Sequence, residues 1–395
     1  MRILTAGGGS GGHVTPVLAV INELSKHDPH LEVMFVSDRK FGVQAASILA
    51  TADVKVGVKT IYAGKLRRYS NVSKLRQLTY PPIVLRNIRD MFLVLIGYFQ
   101  SLATIIRFKP DVVFTKGGFV CLPIGMAAAT MRVPLVIHDS DSHAGLTNRI
   151  LSRWARVIAT GAPLENYTYD KRKSAYVGIP VDASYHPVAA SEQKLLKESL
   201  GLPDVTWPLV AVTGGGLGSE VINQSMLAIA DALVEQNVAV IHIAGKLHSV
   251  QVEKAAPKHP AYIVKPFMPG LQDALNAADV VVTRAGATTL VELAASKKPT
   301  IIIPARKLAG GHQIKNAAVY EKADAALVID EVQLETNPTI LLRAIQLLLA
   351  DHRRAEELAH NFHATVKTNA ASALAALIAK VYADKNVPKE QGSAE

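Results

Sequence analysis

The stretch GGGSGGH at residues 7–13 directly follows the strand-like segment RILTA at residues 2–6 and precedes an apolar helical segment at Val14–Leu24. Closely spaced glycines leave the main chain uncovered, so its N–H groups and the helix start can bind an anion such as a phosphate. The glycines also fit the GxGxxG pattern of dinucleotide-binding folds, with Asp38 at the end of the next strand-like segment. This order of strand, glycine turn and helix predicts a Rossmann-like domain.

The second half of the chain repeats this order with a strand at Leu209–Thr213, a glycine turn at Gly214–Gly218 and a helix at Ser219–Glu235. Short apolar runs alternate with helical segments along the whole chain, which is typical of parallel sheets built from βαβ units. The other predicted strands are Ile3–Thr5, Val33–Val36, Val54–Val58, Val112–Thr115, Leu135–His138, Val157–Ala159, Ala175–Val177, Val238–Ile243, Tyr262–Val264, Val280–Thr283, Thr300–Ile303 and Ala326–Ile329. The sequence therefore predicts an α/β protein with two doubly wound parallel-sheet domains that face a ligand-binding cleft.

The length of 395 residues suits two domains. Residues 178–190 carry two prolines and no periodicity, so the boundary is predicted there, with an N-terminal domain at 1–181 and a C-terminal domain at 182–367. A helix at 371–383 is predicted to return to the first domain. The polar tail at 384–395 is predicted to be disordered.

Composition narrows the class of protein. Hydrophobic residues make up 49% of the chain and aromatic residues 6%, a balance that suits parallel sheets covered by helices. The single cysteine, Cys121, excludes a disulfide framework and a cysteine metal cluster and favours the reducing cytoplasm. The N-terminus lacks the charged and apolar regions of a secretory signal.

The formal net charge of +10 favours anionic partners. Basic residues precede the most apolar run, Met91–Phe99, and they are Lys65, Arg67, Arg68, Lys74, Arg76, Arg86 and Arg89. Three interpretations of Met91–Phe108 stay open: a buried helix, a basic and apolar face that docks on a membrane, and a transmembrane span. Basic and aromatic residues do not interleave there as on stacking platforms, so no nucleic-acid partner is predicted.

Two segments of the second half can hold a nucleotide sugar. In Thr283–Glu292, the hydroxyls of Thr288 and Thr289 with the N–H groups of a first helical turn can bind a diphosphate, and Glu292 can accept from a ribose diol. Ordinary helix capping is the alternative interpretation. Downstream, Gln313 and Asn316 lie three residues apart on one helix face, where their amides suit sugar hydroxyls or simply cap the surface.

These motifs together resemble the MurG family, peptidoglycan N-acetylglucosaminyltransferases of the GT-B type with two Rossmann-like domains. The resemblance runs over roughly residues 1–365. It rests on five segments in the family's order, which are Gly8–His13, Lys116–Val120, Ala144–Arg149, Gly286–Glu292 and His312–Ala317.

The resemblance implies an inverting transfer of N-acetylglucosamine from UDP-N-acetylglucosamine to the C4 hydroxyl of a polyprenyl-diphosphate-linked muramoyl peptide, lipid I, giving lipid II. It implies no cofactor and no metal ion, and it implies a peripheral enzyme on the cytoplasmic face of an anionic membrane, with Arg67, Arg68, Arg86 and Arg89 facing the lipid. The implied donor contacts are Met268 with the uracil, Ala287, Thr288, Thr289, Leu290 and Val291 around the diphosphate, Glu292 with the ribose, and Gln313 and Asn316 with the sugar. The implied acceptor loop comprises Ser10, Gly11, Gly12, Gly117 and Gly118, with His13 as the base.

The chain also departs from the family pattern. His138-Asp139-Ser140-Asp141 stands where the family usually reads His-Glu-Gln-Asn, so Asp141 is a second candidate base. Asp139 and Asp141 also match the D-x-D cation motif of another glycosyltransferase fold, which leaves a divalent cation as an alternative. Gly216, Leu217 and Asp182 replace a hydroxyl, an amide and an arginine that the family uses near the diphosphate.

The alternatives to a lipid I transferase are a related transferase with another nucleotide sugar or lipid acceptor, a nucleotide-sugar epimerase, a nicotinamide-dependent oxidoreductase and a non-catalytic membrane partner. The oxidoreductase leaves the segments around Gly286–Glu292 and Gln313 without a role.

Overall fold

The computed structural model describes residues 1–8, 11–65, 80–141, 144–215, 218–268, 270–306 and 311–386. The chain divides into two units, which are residues 1–180 together with the chain from Lys367, and residues 181–366. We call them unit 1 and unit 2.

Among the described residues, unit 1 contains a seven-stranded parallel sheet in the order β3-β2-β1-β4-β5-β6-β7. Its strands are β1 Arg2–Ala6, β2 Glu32–Asp38, β3 Val56–Ile61, β4 Val112–Thr115, β5 Leu135–Asp139, β6 Val157–Thr160 and β7 Ser174–Tyr176. The helices are α1 Thr15–Ser25, α2 Gly42–Leu49, α3 Pro81–Phe108, α4 Cys121–Thr130, α5 Leu146–Leu151 and, at the end of the chain, α15 Ala370–Asn386.

Helices cover both faces of this sheet, which is why its strands are apolar throughout. Ile3 of β1 packs into a core with α1 and α15, whereas its neighbour Leu4 packs into a core with α3 and α4. In the register of the sheet, Ala6 pairs with Val36 of β2 and with Thr115 of β4. The loops that follow β1, β2 and β4 therefore leave the sheet at the same edge.

Unit 2 contains, among its described residues, a six-stranded parallel sheet in the order β10-β9-β8-β11-β12-β13. Its strands are β8 Leu209–Thr213, β9 Ala239–Ile243, β10 Tyr262–Lys265, β11 Val280–Thr283, β12 Thr300–Ile302 and β13 Leu327–Val328. The helices are α6 Ala190–Ser199, α7 Glu220–Glu235, α8 Ser249–Ala255, α9 Leu271–Ala277, α10 Ala287–Ala295, α11 His312–Lys322, α12 Glu331–Thr336, α13 Thr339–Ala350 and α14 His352–Ala364.

The side chains of the central strand of unit 2 are all buried and face two cores in alternation. Val210 and Val212 of β8 face a core with α7 and α13, and Leu209 and Ala211 face a core with α9 and α10. The strands that the sequence predicts are present in both units, with ends that differ by at most three residues. The predicted fold class of two parallel α/β sheets is confirmed.

The last helix, α15, packs against α1 with Leu374, Ile378 and Val381 in the core of unit 1. The prediction of a disordered tail from residue 384 is wrong for residues 384–386, because α15 continues to Asn386. Nothing in those residues breaks a helix, and the Lys385 ammonium lies 3.5 Å from a carboxylate oxygen of Asp111. Residues 387–395 lie outside the described part of the chain.

Helix α3 packs on unit 1 along one face only. Gly97 and Gly64 allow this close contact, because a Cβ at Gly97 would lie 2.0 Å from the carbonyl oxygen of Tyr62, and one at Gly64 would overlap the Asp90 carbonyl. The other face exposes large apolar side chains at helical spacing, which are Leu85, Ile88, Met91, Phe92, Leu95, Ile96, Phe99 and Ile106. We call these residues the apolar face of α3.

The buried-helix interpretation of Met91–Phe108 is therefore wrong for this face, although Ile105 and Phe108 are buried on the other. Among the described residues, one helix, Ile83–Phe108, is long and apolar enough to cross a bilayer by length and composition alone. Its contacts with α4 and the sheet hold it on the surface of unit 1.

Candidate active site

The first glycine loop and the loop after β4 lie side by side at the carboxyl edge of unit 1. Gly11–His13 form a short 3-10 turn before α1. Gly117 and Gly118 both adopt positive φ, +89° and +88°. A Cβ at Gly118 would lie 3.3 Å from the Gly8 carbonyl oxygen and 3.5 Å from Nε2 of His13. Glycine suits this close approach of the two loops, because the positive φ would strain any other residue. Ser10, predicted in the same loop, lies outside the described residues.

His13 lies between these loops, and the residue is partly exposed. Loss of solvation at the ring lowers the pKa of His13 to about 3, and the neighbouring positive charge of Lys116 contributes to this decrease. A hydrogen bond with the Lys116 main chain raises the pKa by a smaller amount. The imidazole is therefore neutral at pH 7. A neutral imidazole can accept a proton, which the imidazolium cannot.

The two carboxylates of Asp139 and Asp141 have different surroundings. Asp139 is buried, and its Oδ2 accepts from the Gly145 N–H at 2.9 Å and from the Tyr169 hydroxyl at 2.7 Å. Burial raises the pKa of Asp139, and these hydrogen bonds lower it by less. Asp141 is exposed, and its main-chain carbonyl accepts from the Tyr167 hydroxyl. Asp139 thus fixes the loop before α5. This structural role explains one of the two acidic residues of the D-x-D match without a cation.

Asp141 and His13 follow strands β5 and β1, which β4 separates in the sheet. Two strand spacings amount to about 10 Å, so the strand ends that precede His13 and Asp141 are about that far apart along this edge. Within the ranges that the structure describes, no group of three or more histidine, cysteine, aspartate or glutamate side chains is arranged to hold a metal ion.

His138 and Asp38 have structural contacts. His138 is fully buried, with Nε2 2.8 Å from the Gly178 carbonyl oxygen and Nδ1 3.2 Å from the Ser140 hydroxyl. Burial lowers the pKa of His138 to about 3, and Lys116 contributes a smaller decrease. The Asp38 carboxylate accepts from the N–H groups of Lys40 and Phe41 and thereby closes the turn after β2.

In unit 2, helix α10 begins directly after β11 with Gly286 as its N-cap residue. The N–H groups of Ala287, Thr288 and Thr289 belong to the first turn of α10 and point toward its N-terminal end. The Leu290 N–H donates to the Gly286 carbonyl at 2.9 Å. Such a helix N-terminus suits a diphosphate, which it can bind through three main-chain donors and the helix dipole.

Leu290 and Val291 are the other two predicted donor contacts on α10, and they stay predictions. Leu290 is fully buried and Val291 is 7% exposed. Both side chains are aliphatic, and the N–H of Leu290 is used inside the helix. These two residues anchor α10 in unit 2 and offer no polar side chain to a ligand.

Glu292 lies one turn further along α10 and is buried. Burial raises the pKa of Tyr185 well above its usual value, and the nearby carboxylates of Glu292, Asp182 and Asp273 raise it further. Tyr185 therefore lies within electrostatic range of all three. No motif in the sequence marks Tyr185 or Asp273, because they come from the linker segment and from α9 and converge only in the folded unit.

Helix α11 carries the predicted sugar-binding amides. Asn316 is buried, and its Nδ2 donates to the Ala285 carbonyl at 3.1 Å. Gln313 is partly exposed, and its Oε1 accepts from the Ala305 N–H at 2.9 Å. Asn316 thus fixes the turn between β11 and α10, a structural contact that the sequence did not predict, and Gln313 fixes the loop after β12.

A buried ion pair supports the same turn. The Arg284 guanidinium contacts Oε1 of Glu331 at 2.5 Å and donates to the Ile303 carbonyl at 3.1 Å. The other carboxylate oxygen of Glu331 accepts from the Arg306 N–H at 2.9 Å. Glu331 of α12 therefore joins the ends of β11 and β12. Sequence reasoning misses this role because Arg284 and Glu331 lie 47 residues apart.

Met268, the predicted uracil contact, comes directly after β10, is partly exposed and packs against the core of α9. Of the three departures from the family pattern, Gly216 and Leu217 lie outside the described residues. The helix after them is capped by Ser219, whose hydroxyl accepts from the Ile222 N–H. The third departure, Asp182, accepts from the Ser184 N–H through its carboxylate.

The four arginines predicted to face lipid are divided between described and undescribed residues. Arg86 and Arg89 are exposed on α3, and Arg89 contacts the Asp90 carboxylate at 3.1 Å. Arg67 and Arg68 lie outside the described residues.

Comparison with known proteins identifies the family of the chain. Residues 3–160 match the glycosyltransferase family 28 N-terminal domain, and residues 209–378 match the C-terminal domain of that family. A UDP-N-acetylglucosamine–N-acetylmuramyl-(pentapeptide) pyrophosphoryl-undecaprenol N-acetylglucosamine transferase of Halalkalibacterium halodurans is 32% identical over 337 residues. The alignment covers 85% of this chain and 87% of that relative.

Two solved structures share the fold. Acinetobacter baumannii MurG gives a TM-score of 0.64 at 22% identity, covering 96% of this chain and 99% of that chain. The Neisseria meningitidis UDP-GlcNAc 2-epimerase, bound to UDP-GlcNAc, gives a TM-score of 0.62 at 14% identity. The superposition covers 96% of this chain and 100% of that chain. At these identities the likeness shows the fold alone.

Proposed function

Because the chain belongs to glycosyltransferase family 28, and within it to the UDP-N-acetylglucosamine–N-acetylmuramyl-(pentapeptide) pyrophosphoryl-undecaprenol N-acetylglucosamine transferases, we propose that it converts lipid I to lipid II. The donor is UDP-N-acetylglucosamine, and the acceptor is the C4 hydroxyl of the polyprenyl-diphosphate-linked muramoyl peptide. One observation carries this proposal: a single chain contains both kinds of site. Unit 1 has the neutral His13 beside glycine loops, and unit 2 has a helix start capped by Gly286 with the buried Glu292 on the same helix.

Unit 2 binds the donor. The N–H groups of Ala287, Thr288 and Thr289 hold the diphosphate, and Glu292 accepts from the ribose hydroxyls. Met268 provides the surface for the uracil, and Gln313 contacts the sugar. Asn316 acts indirectly, because its bond to the Ala285 carbonyl fixes the turn that starts α10.

The departing UDP is stabilised by the same helix start. Charge grows on the diphosphate as the bond between the sugar C1 and the donor oxygen breaks, and fixed N–H dipoles stabilise that charge without reorganisation. The side chain of Asp139 is engaged with Gly145 and Tyr169. We therefore assign the leaving-group role to α10, and no divalent cation takes part in the proposed step.

Unit 1 binds the acceptor and supplies the base. The glycine loops of Gly11–Gly12 and Gly117–Gly118 lie against the acceptor diphosphate, and His13 faces the attacking hydroxyl. As the C4 oxygen bonds to C1 on the face opposite UDP, its proton passes to the imidazole, and the configuration at C1 inverts. A bound diphosphate places negative charge near His13 and raises its pKa, which makes the imidazole a stronger base when the acceptor is present.

The apolar face of α3 docks the enzyme on the cytoplasmic surface of the membrane. Phe92 is 62% exposed and Phe99 is 60% exposed, and both can enter the interface between headgroups and acyl chains. Arg86 and Arg89 lie on the same helix and suit anionic headgroups. A polyprenyl-linked acceptor resides in the membrane, so an enzyme held at its surface meets the substrate there.

The activity test incubates the purified protein with labelled UDP-N-acetylglucosamine and a lipid I analogue, beside an active transferase as control. We expect labelled lipid II, at a rate that a metal chelator does not change. Absence of lipid II with an active control would refute the proposed function. Conversion of the donor to its 2-epimer in the absence of acceptor would identify an epimerase instead.

The docking test measures sedimentation with vesicles that contain phosphatidylglycerol. We expect the double variant F92S/F99S to lose most of its vesicle binding, because both side chains leave water when the helix docks. L195S removes another largely exposed apolar residue, in unit 2, and is expected to bind like the wild type. Equal binding of F92S/F99S and wild type would contradict the assignment of α3.

A further inference from the structure

Lys116 is a buried cation at the centre of the acceptor site. It directly follows β4 at the carboxyl edge of the sheet and is 3% exposed. Its Nζ lies 3.2 Å from the Gly12 carbonyl oxygen, which precedes His13 in the 3-10 turn. A long cationic side chain is rarely buried, because its charge must leave water. This position therefore calls for a role that a smaller apolar residue could not fill.

We propose that Lys116 is a positioning residue of the transfer reaction, which fixes the turn carrying His13 through the Gly12 carbonyl and keeps a positive charge beside the imidazole. This inference rests on the proposed function, in which His13 is the base. The fixed turn holds the imidazole against Gly118, and the charge opposes protonation of the ring before substrate binds.

The electrostatics of the neighbouring groups support this role. The positive charge of Lys116 lowers the pKa of His13 and of His138, and it acts against the burial that raises the pKa of Cys121. The titratable groups on the elements packed around Lys116 are Asp38 at the end of β2, Cys121 at the start of α4, and His138 and Asp139 on β5. Among the described residues, Lys116 is the charged group that shifts the pKa of His13.

A second buried lysine shows what a purely structural role looks like. Lys298 of unit 2 is 6% exposed, and its Nζ donates to the carbonyls of Asn276 and Ala278. It precedes β12 and therefore lies at the amino edge of its sheet, beside the C-terminal end of α10 and away from the glycine turn that starts this helix. Both lysines are buried and donate to main-chain carbonyls, but only Lys116 lies near a candidate catalytic group. Lys298 is therefore a matched control.

The test compares K116M, K116R and K298M with wild type by two measurements. The first is kcat and donor KM between pH 5 and 8. The second is the NMR titration of histidine labelled with ¹³C at Cε1, in which the His13 signal is identified by its loss in H13N. K116M is expected to lower kcat roughly tenfold or more with donor KM within about twofold, since the donor lies in unit 2. Its His13 titration is expected to move up by about one pH unit, because a nearby like charge is removed. K116R keeps the charge and is expected to retain the wild-type titration.

Unchanged titration of His13 in K116M would overturn the proposal, as would equal loss of kcat in K116M and K298M after correction for the folded fraction. If K116M does not fold, K116Q replaces it, because glutamine also removes the charge but keeps a polar side chain. An unchanged His13 titration, or a loss of kcat equal to that of K298M, would then overturn the proposal in the same way. Failure of wild type to form lipid II would refute the proposed function, while the NMR titration would still show whether Lys116 controls the charge of His13.

Discussion

The two units share a strand order and differ in the loops that leave their corresponding strands. The order β3-β2-β1-β4-β5 of unit 1 matches β10-β9-β8-β11-β12 of unit 2. In unit 1 the loops after β1 and β4 bring together His13, Lys116 and paired glycines. In unit 2 the loop after β11 leads into α10, with Glu292 and the Arg284–Glu331 pair around it. The same scaffold thus presents a histidine and a lysine beside glycine loops in one unit and a glycine-capped helix start in the other. We propose that the first site transfers a proton and the second binds an anion, so the two units differ in their loops and not in their strand order.

The largest expected effect comes from removing the proposed base, His13, in unit 1. H13A is expected to lower kcat by about 10²- to 10⁴-fold, the usual contribution of general base catalysis, with donor KM changed little. Steady-state lipid II synthesis measures both constants. D141N tests the alternative base, and we expect its kcat to stay close to that of wild type. The surface variant H27A is the matched control. A greater loss of kcat in D141N than in H13A would transfer the base role to Asp141.

The second expected effect is on the stability of unit 2. E331A removes one partner of a nearly buried pair and leaves the Arg284 guanidinium and the Arg306 N–H without their carboxylate. We expect a loss of about 3 kcal/mol in the free energy of unfolding. Urea denaturation measures this loss. R353A removes an exposed pair with Glu357 and is expected to cost less than about 1 kcal/mol. Equal stability of E331A and wild type would show that the turn before α10 needs no such support.

The third expected effect concerns donor binding. E292A is expected to raise the donor KM by about 10- to 100-fold, the equivalent of a hydrogen bond to a charged group, and to change kcat less. Calorimetric titration with UDP provides a measurement that does not require turnover. E292Q keeps an acceptor oxygen and is expected to fall between E292A and wild type. If UDP binds E292A as tightly as wild type, the ribose is not at Glu292.

The smallest expected effect is a difference in acid sensitivity between the units. Burial lowers the pKa of His13 and His138 to about 3 in unit 1, and that of His242 to about 4 in unit 2. In the unfolded chain these groups bind protons near pH 6.5, so the unfolded state binds more protons between the two values. Their contribution to stability is complete above pH 6.5 and falls as pH decreases toward 4, by at most about 1.4 kcal/mol per pH unit per group.

Among the described residues, unit 1 has two such histidines and unit 2 has one, so unit 1 is expected to lose protection faster than unit 2 between about pH 7 and 5. The raised pKa of Asp139 acts in the opposite direction and reduces the difference. Hydrogen exchange with mass spectrometry measures the two units separately in the intact protein. Equal loss of protection in the two units would contradict this expectation.

The fold was predictable because its signals are local. The apolar runs around β1 and β8 are continuous, since strands of a parallel sheet are covered on both faces, and a glycine turn comes after each. Gly286 before Ala287–Thr289 likewise predicts the start of α10. The tail was the local error, because polar residues at 384–386 continue a helix that is already anchored.

The contacts around the sites were not predictable in the same way. Tyr185, Asp273 and Glu292 come from separate segments, and no spacing in the chain links them. Asn316 has a residue type that suits a sugar contact, yet its amide donates to the Ala285 carbonyl. The type of a side chain limits the bonds it can form, but its partner depends on which elements pack beside it.

Backbone preference and apolar periodicity act over a few residues, so the amino-acid sequence alone predicts two parallel α/β sheets, the glycine turns at their carboxyl edges and the residue types available there. Packing selects which of those residues lie together. It placed Lys116 beside Gly12 and His13, joined Arg284 to Glu331, buried Leu290 and Val291, and left the apolar face of α3 exposed. Burial, charge and proton affinity depend on neighbours that are distant in sequence, so they follow from packing.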